Sequence, residues 1–237
     1  MNYLPKNLNF KEGIAYIGET SLTDVAKNYG TPLYVYDWEH LKGNIDAFTE
    51  AFGKDALFRY AAKAFISKAL VKELEEKGWG VDVVSGGEMA TVQETVGTLE
   101  NTVFNGTFKR TDEIEYFIQN NGGHISIDNR YEIEMLEKAA SSLKKKQPVI
   151  MRINLDVGAE THPMVLTSGY DQQFGISISF AEEALNQIAS SKSLLFSGIH
   201  VHIGSQIKDP ERYKLAMSSC SEFMNSNLEK VEGEAVF

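Results

Sequence analysis

The stretch VDVVSGGEMATVQETVGTLENTVFNG (residues 81–106) decides the fold. VDVVS is a short run rich in β-branched residues, which suit a pleated, buried strand. The segment that follows, GGEMATVQETVG, carries apolar residues at helical spacing. Ser85, with Glu88 three residues on, has the form of a capping box, in which the two side chains satisfy N–H groups that a first helical turn leaves unpaired. NTVFNG then returns to strand. Strand, helix and strand joined by short turns make the repeating unit of a parallel sheet covered by helices.

The same alternation runs outward in both directions. Strands are expected at ALFRYAAK (56–63), HISIDN (124–129), VIMRIN (149–154) and FSGIHVHIG (196–204), with an earlier one at LYVYD (33–37). Helices are expected over 38–52, 66–78, 111–121, 130–146, 180–191 and 210–230, the 180–191 helix opening on a second capping box, Ser179 with Glu182. Six strands thus each lead into a helix, and linkers are short apart from residues 155–175. This order predicts either an open doubly wound sheet or a (β/α)8 barrel.

Composition narrows the function. A chain of 237 residues with 43% hydrophobic content can build one domain with a real core, or two small ones. A net charge of −10, with Lys144–Lys146 as the one basic cluster, argues against nucleic-acid partners. No run approaches the roughly 18 apolar residues that span a bilayer, and MNYLPKNLNF lacks the apolar core of a signal peptide, so no membrane association and a cytoplasmic location are expected. The single cysteine, Cys220, excludes an intrachain disulfide, and its helical surroundings mark it as a core residue.

The polar residues fall in a pattern. Lys63, Asp82 with Ser85, Asn105, Asp128, Arg152 and the His200/His202/Ser205 group each lie at or just past the C-terminal part of an expected strand. Both barrels and open α/β sheets assemble their sites there. Two-residue alternation puts His200 and His202 on one face of their strand, where such a pair could serve a metal-dependent hydrolase, with Lys63 as a carbamate bridge. Alternatively, one histidine is simply hydrogen-bonded in the barrel lining. No third imidazole completes a metal set, because His40, His124 and His162 lie on a helix, at a strand start and in the long loop, and no metal is expected. A lysine at a strand end, partly desolvated, could instead form a Schiff base with an aldehyde, or could be a structural lysine that snorkels.

The ordered strings YAAKAF, GVDVVSGGE, FNGTFKR, ISIDN, MRIN, TSGYDQQFGI and GIHVHIGSQI resemble the diaminopimelate decarboxylases, pyridoxal-phosphate enzymes with an alanine-racemase-like (β/α)8 barrel. The resemblance covers about residues 30–210 and implies pyridoxal 5'-phosphate as cofactor. It implies Lys63 as the catalytic lysine that carries the cofactor, His202 as the imidazole facing the pyridine ring, Ser205 as a phosphate ligand, and Arg152 and Asp82 in the polar network around it. The activity implied is decarboxylation of meso-2,6-diaminopimelate to L-lysine. Alternatives are a related decarboxylase of another basic amino acid or polyamine precursor, and a non-catalytic cofactor-binding barrel. Residues 1–35 would belong to the family's β-domain and 36–237 to a barrel with about six of its eight βα units. The family's C-terminal β-domain, glycine-rich phosphate loop and Glu-Pro-Gly-Arg segment are not found. A truncated form of low or no activity is therefore expected, with a homodimer for the full-length form. Two positions depart from the pattern: Phe65, where the family carries Asn or a small polar residue, and Gln173, where it carries Lys. An incomplete barrel is further expected to leave its strand edges unpaired and an apolar interior uncovered.

Overall fold

The computed structural model describes residues 7–53, 55–155 and 174–227. The chain divides into two compact units, Met1–Phe58 and Arg59–Phe237.

In the first unit, β1 (Leu8–Lys11), β2 (Ile14–Ile17) and β3 (Thr20–Ser21) form an antiparallel sheet in that order, followed by α1 (Leu22–Tyr29) and α2 (Trp38–Phe52). Glu12 and Gly13 join β1 to β2 with φ of 51° and 80°, the positive values that a two-residue hairpin turn needs. The Asp37 carboxylate accepts the His40 N–H at 3.0 Å and fixes the start of α2, which matches the expected helix residue for residue. LYVYD is not a strand. Residues 33–36 are exposed, and the stretch 33–37 pairs with no strand among the described residues; pairing rather than composition makes a strand.

The second unit repeats strand and helix: β4 (Arg59–Ala61), α3 (Lys68–Glu76), β5 (Gly80–Val83), α4 (Gly86–Val96), β6 (Thr102–Phe104), α5 (Thr111–Gln119), β7 (His124–Ile127), α6 (Arg130–Ser142), β8 (Gln147–Asn154), the two-residue β9 (Ile176–Ser177), α7 (Ile178–Ala189), β10 (Leu194–His200) and α8 (Pro210–Asn227). The sheet order is β4-β5-β6-β7-β8-β10, parallel throughout, with β9 paired to the end of β8. Each long strand lies beside its predecessor. A doubly wound sheet reverses its order at a switch point, whereas this sequential order is that of a barrel wall. It carries six βα units.

Alternation sorts the strand residues. Val83, Phe104, Ile125, Ile127, Val149 and Met151 are fully buried and form the layer beneath the helices with Leu70, Met89, Ile114, Phe117, Leu136 and Leu185. The opposite face carries Asp82, Ser126, Arg152 and His200. That face also carries Val103 and Ile150, in register with Asp82 and Ser126 and only half-buried, so the side away from the helices mixes polar groups with part of the incompletely covered apolar surface expected of it. Helix starts are fixed locally, Ser67 accepting from Leu70 N–H at 3.2 Å and Asn129 from Tyr131 and Glu132 N–H at 3.1 and 3.3 Å. At Ser179 the expected capping box fails, because β9 runs straight into α7 and Ser177 occupies the N-cap position, its hydroxyl 2.9 Å from Ser179 Oγ and without a capping bond to a helix N–H.

Candidate active site

Lys63 lies in a 3-10 turn, Ala62–Ala64, immediately after β4. The strand is shorter than the expected 56–63, so Lys63 stands past its end, and its side chain is exposed rather than desolvated. Asp82 sits on β5 in register with Ala61 and Val103, and Arg152 on β8 in register with His200 on β10. β10 stops at His200, short of the expected 204, leaving half-buried His202 and exposed Ser205 in the segment beyond. There Gly204 and Gln206 take φ of 126° and 57°.

Electrostatics tie five of these residues together. Burial pushes the Asp82 carboxyl up to about 6, against the Asn105 amide and the positive charges of Lys63 and Arg152. Asn105 Nδ2 donates to Asp82 Oδ2 at 3.4 Å, while Asp82 Oδ1 is buried without a hydrogen-bond partner among the described residues. Burial pushes His200 down to about 4, helped by Arg152, His202, Lys109 and Lys63. His202 is lowered by burial, then by Arg152 and Lys63. Both imidazoles are thus neutral near pH 7. Arg152 is fixed from two sides: Nη1 donates to Asp128 Oδ1 at 3.0 Å, and its guanidinium carbon lies 5.4 Å from the Phe174 ring centre. Ser205 makes no hydrogen bond to these five groups among the described residues.

A lysine, a buried carboxylate with a free oxygen, a clamped guanidinium and a neutral imidazole at the C-terminal ends of parallel strands suit an aldehyde cofactor that carries an aromatic ring. The pyridoxal-dependent decarboxylase family, through its pyridoxal binding domain, matches residues 39–231. The chain belongs to that family. Among relatives of this chain, a diaminopimelate decarboxylase of Zymomonas mobilis is 37% identical over 232 residues, covering 96% of this chain and 55% of the relative. One of Aquifex aeolicus is 34% identical over 94% of this chain and 53% of the relative. The crystal structure of diaminopimelate decarboxylase from M. jannaschii with L-lysine superimposes with a TM-score of 0.86 at 29% identity, over 97% of this chain and 55% of that one. The chain spans about half the length of the curated relatives it matches. The fold is the alanine-racemase-type barrel, six βα units of it, and the cofactor of the family is pyridoxal 5'-phosphate.

The histidine pair divides. His200 Nδ1 lies 2.9 Å from Ser126 Oγ, which is the lining hydrogen bond weighed for one of the two. Among the described residues no group of three or more His, Cys, Asp or Glu is placed to hold a metal ion, so a metal-hydrolase reading lacks a third donor there. Ser85 is structural, its hydroxyl accepting the Glu88 N–H at 3.3 Å, while the Glu88 carboxylate takes the Val84 N–H at 2.7 Å. Phe65 is half-buried just past the Lys63 turn, and nothing in the structure explains its departure from the family pattern. Gln173 and His162 lie outside the described residues.

Three buried participants escape sequence reasoning: Ser126, Lys109 and Glu132. Lys109 Nζ donates to both oxygens of Glu132, at 3.1 and 2.9 Å, and to Gly106 O at 2.7 Å. A lysine next to Arg110 in a loop reads as a solvated charge, and its partner is 23 positions away. No local signal marks the pair.

Proposed function

We propose that these residues form the cofactor-binding barrel of an enzyme of lysine biosynthesis that decarboxylates meso-2,6-diaminopimelate to L-lysine, with pyridoxal 5'-phosphate carried on Lys63. The observation that carries the reading is the buried, unpartnered Asp82 Oδ1 within electrostatic reach of Lys63 and Arg152. An acceptor left empty beside a lysine and an arginine is a place for a ligand's donor, since a buried polar atom without a partner costs ~1–3 kcal/mol. The relatives named diaminopimelate decarboxylase support this substrate, and the related structure that holds L-lysine supports the product.

Roles follow from placement. The Lys63 amine, with no hydrogen bond to another described residue, is available for the cofactor's aldehyde. His202, neutral and half-buried, offers a flat ring face to the pyridine. Ser205, in the turn after β10, donates to the phosphate. Asp82 and Arg152 hold the polar edge of the site, and the exclusion of charge from His200 keeps the interior from repelling a cationic amino group. When bound, the cofactor supplies an electron sink for the carbon that loses its carboxylate. A cytoplasmic homodimer, with residues 1–35 contributing to a β-domain of the whole protein, completes the proposal. Among the described residues no helix is long and apolar enough to cross a membrane.

The test uses the protein in its natural length. Borohydride reduction in the presence of pyridoxal 5'-phosphate, followed by peptide mass mapping, is expected to fix the cofactor on Lys63. Lys63→Ala is expected to abolish that label and to lower L-lysine formation by roughly 10³-fold or more, the scale lost with a nucleophile that works within a unit. A label on another lysine, or turnover retained by Lys63→Ala, overturns the reading.

A further inference from the structure

We infer that the buried pair Lys109–Glu132 is a positioning device for Arg152, acting through Asp128; the functional meaning of the device rests on the function proposed above. Lys109 lies between β6 and α5, and its side chain is fully buried, with Glu132 5% exposed. Its Nζ holds Gly106 O at 2.7 Å and so fixes the segment that leaves β6. Glu132, in the first turn of α6, accepts from Lys109 and, through Oε2, from Asp128 N–H at 2.8 Å. That bond fixes the segment leaving β7, and Asp128, itself 5% exposed, then presents Oδ1 to Arg152 on β8 at 3.0 Å. An unbroken run of hydrogen bonds therefore joins the C-terminal ends of three consecutive strands and finishes on the guanidinium of the site.

Stability alone does not account for it. Burying two ion pairs costs the hydration of four charges, and apolar residues of similar volume usually serve a core as well or better. Burial works against the charge of both Lys109 and Glu132, and their mutual contact offsets that cost. What the pair provides that a Met–Leu contact does not is direction. An arginine side chain has ~2 kcal/mol of rotamer freedom, and a carboxylate whose own backbone is tied down removes that freedom before a ligand arrives. Asp128 is such a carboxylate. Among the described residues the hydrogen bonds of Lys109 and Glu132 reach the site only through Asp128, so they are positioning residues and not catalytic ones.

The replacement Lys109→Met with Glu132→Leu removes the pair and keeps an apolar core. The variant is expected to remain folded, with the ¹⁵N side-chain resonances of Arg152, identified by their loss in Arg152→Lys, changed from sharp to exchange-averaged. Pyridoxal 5'-phosphate is expected to bind roughly tenfold more weakly, as for one charge-assisted contact loosened. In an Arg152→Lys background the same replacement is expected to leave affinity nearly unchanged, because the contact it supports is already gone. Glu132→Gln, which keeps the shape and removes the charge, is expected to give the same changes at smaller size and decides the matter if the double replacement does not fold. Unaltered Arg152 resonances and affinity in a folded variant overturn the inference, as does an equal loss of affinity without Arg152. Failure of the unaltered protein to bind pyridoxal 5'-phosphate would count against the proposed function, while the Arg152 resonances would still decide the positioning role.

Discussion

Asp82 and His200 pull stability in opposite directions over one pH window. The Asp82 carboxyl titrates at 3.8 when unperturbed and at about 6 in the fold, so the folded state holds its proton more tightly and stability falls as pH climbs between those values. His200 titrates at 6.5 when unperturbed and at about 4 in the fold, so the unfolded state takes the proton first and stability falls as pH drops through that interval. Each effect amounts to as much as ~3 kcal/mol and together they largely cancel. Asp82→Asn is expected to unmask the histidine: urea unfolding of the cofactor-free protein should show stability rising from pH 4 to 7, with a gain over the parent of ~2–3 kcal/mol at pH 7 and almost none at pH 4. A gain of equal size at both pH values would mean that desolvation of Asp82 is not its cause. The same residues show what a sequence discloses. Asp82, Arg152 and His200 are legible because each interrupts an apolar strand with a charged or ionisable group at its C-terminal part. Ser126 is not legible, since a small hydroxyl is ordinary in a strand and its worth depends on His200, 74 positions away.

Elements are legible to the extent that their signals are local. The six strand–helix pairs stand where periodicity puts them, and the caps at Ser67, Ser85 and Asn129 set helix starts to within a residue or two. The β1–β2 hairpin carries a local signal too, Glu12-Gly13 between two short strand-like runs. LYVYD failed for the opposite reason: its pattern is strand-like and the partner is missing among the described residues. Lys145 has a role that composition hides, its ammonium donating to Ile118 O and Gln119 O and so closing the C-terminus of α5 at 2.9 and 2.8 Å. Close strand packing sets a sharper condition at Gly80, the first residue of β5. A Cβ there would stand 2.1 Å from Asn101 O, and the backbone leading into β6 has no freedom to retreat while Val81 N–H donates to that same oxygen at 3.1 Å. Gly80→Ala is expected to lower unfolding free energy by ~2–3 kcal/mol, the cost of overpacking in a dense interior. Gly87→Ala, with nothing within 4 Å of its Cβ position, is the control that should change stability little. Equal midpoints for the two variants in thermal unfolding would contradict the assignment.

At the scale of the whole chain, burial is divided unequally. Between residues 7 and 53 only Ile45 is buried among the described residues, α1 buries none, and Tyr29, Phe48 and Phe52 are 80%, 57% and 68% exposed. From Arg59 onward the sheet carries a continuous apolar layer, with β7 and β8 flanked by strands on both sides and their helix-facing residues fully buried. Local opening depends on how much apolar contact is lost, so the two units should open with different free energies. The sheet also has graded order within it, since β4 and β10 stand at its edges and β6 to β8 at its centre. Native-state hydrogen exchange is expected to show amides of β7 and β8 as the slowest, β4 and β10 intermediate, and β1 to β3 with α1 exchanging at least ~100-fold faster than β7, as a difference of ~3 kcal/mol in opening free energy requires. Urea at low concentration should bring β7 and β8 together to the global unfolding limit before it moves the hairpin amides, which already open locally. If β1 to β3 were protected as strongly as β8, the chain would unfold as one cooperative body and the unequal burial would not govern its opening.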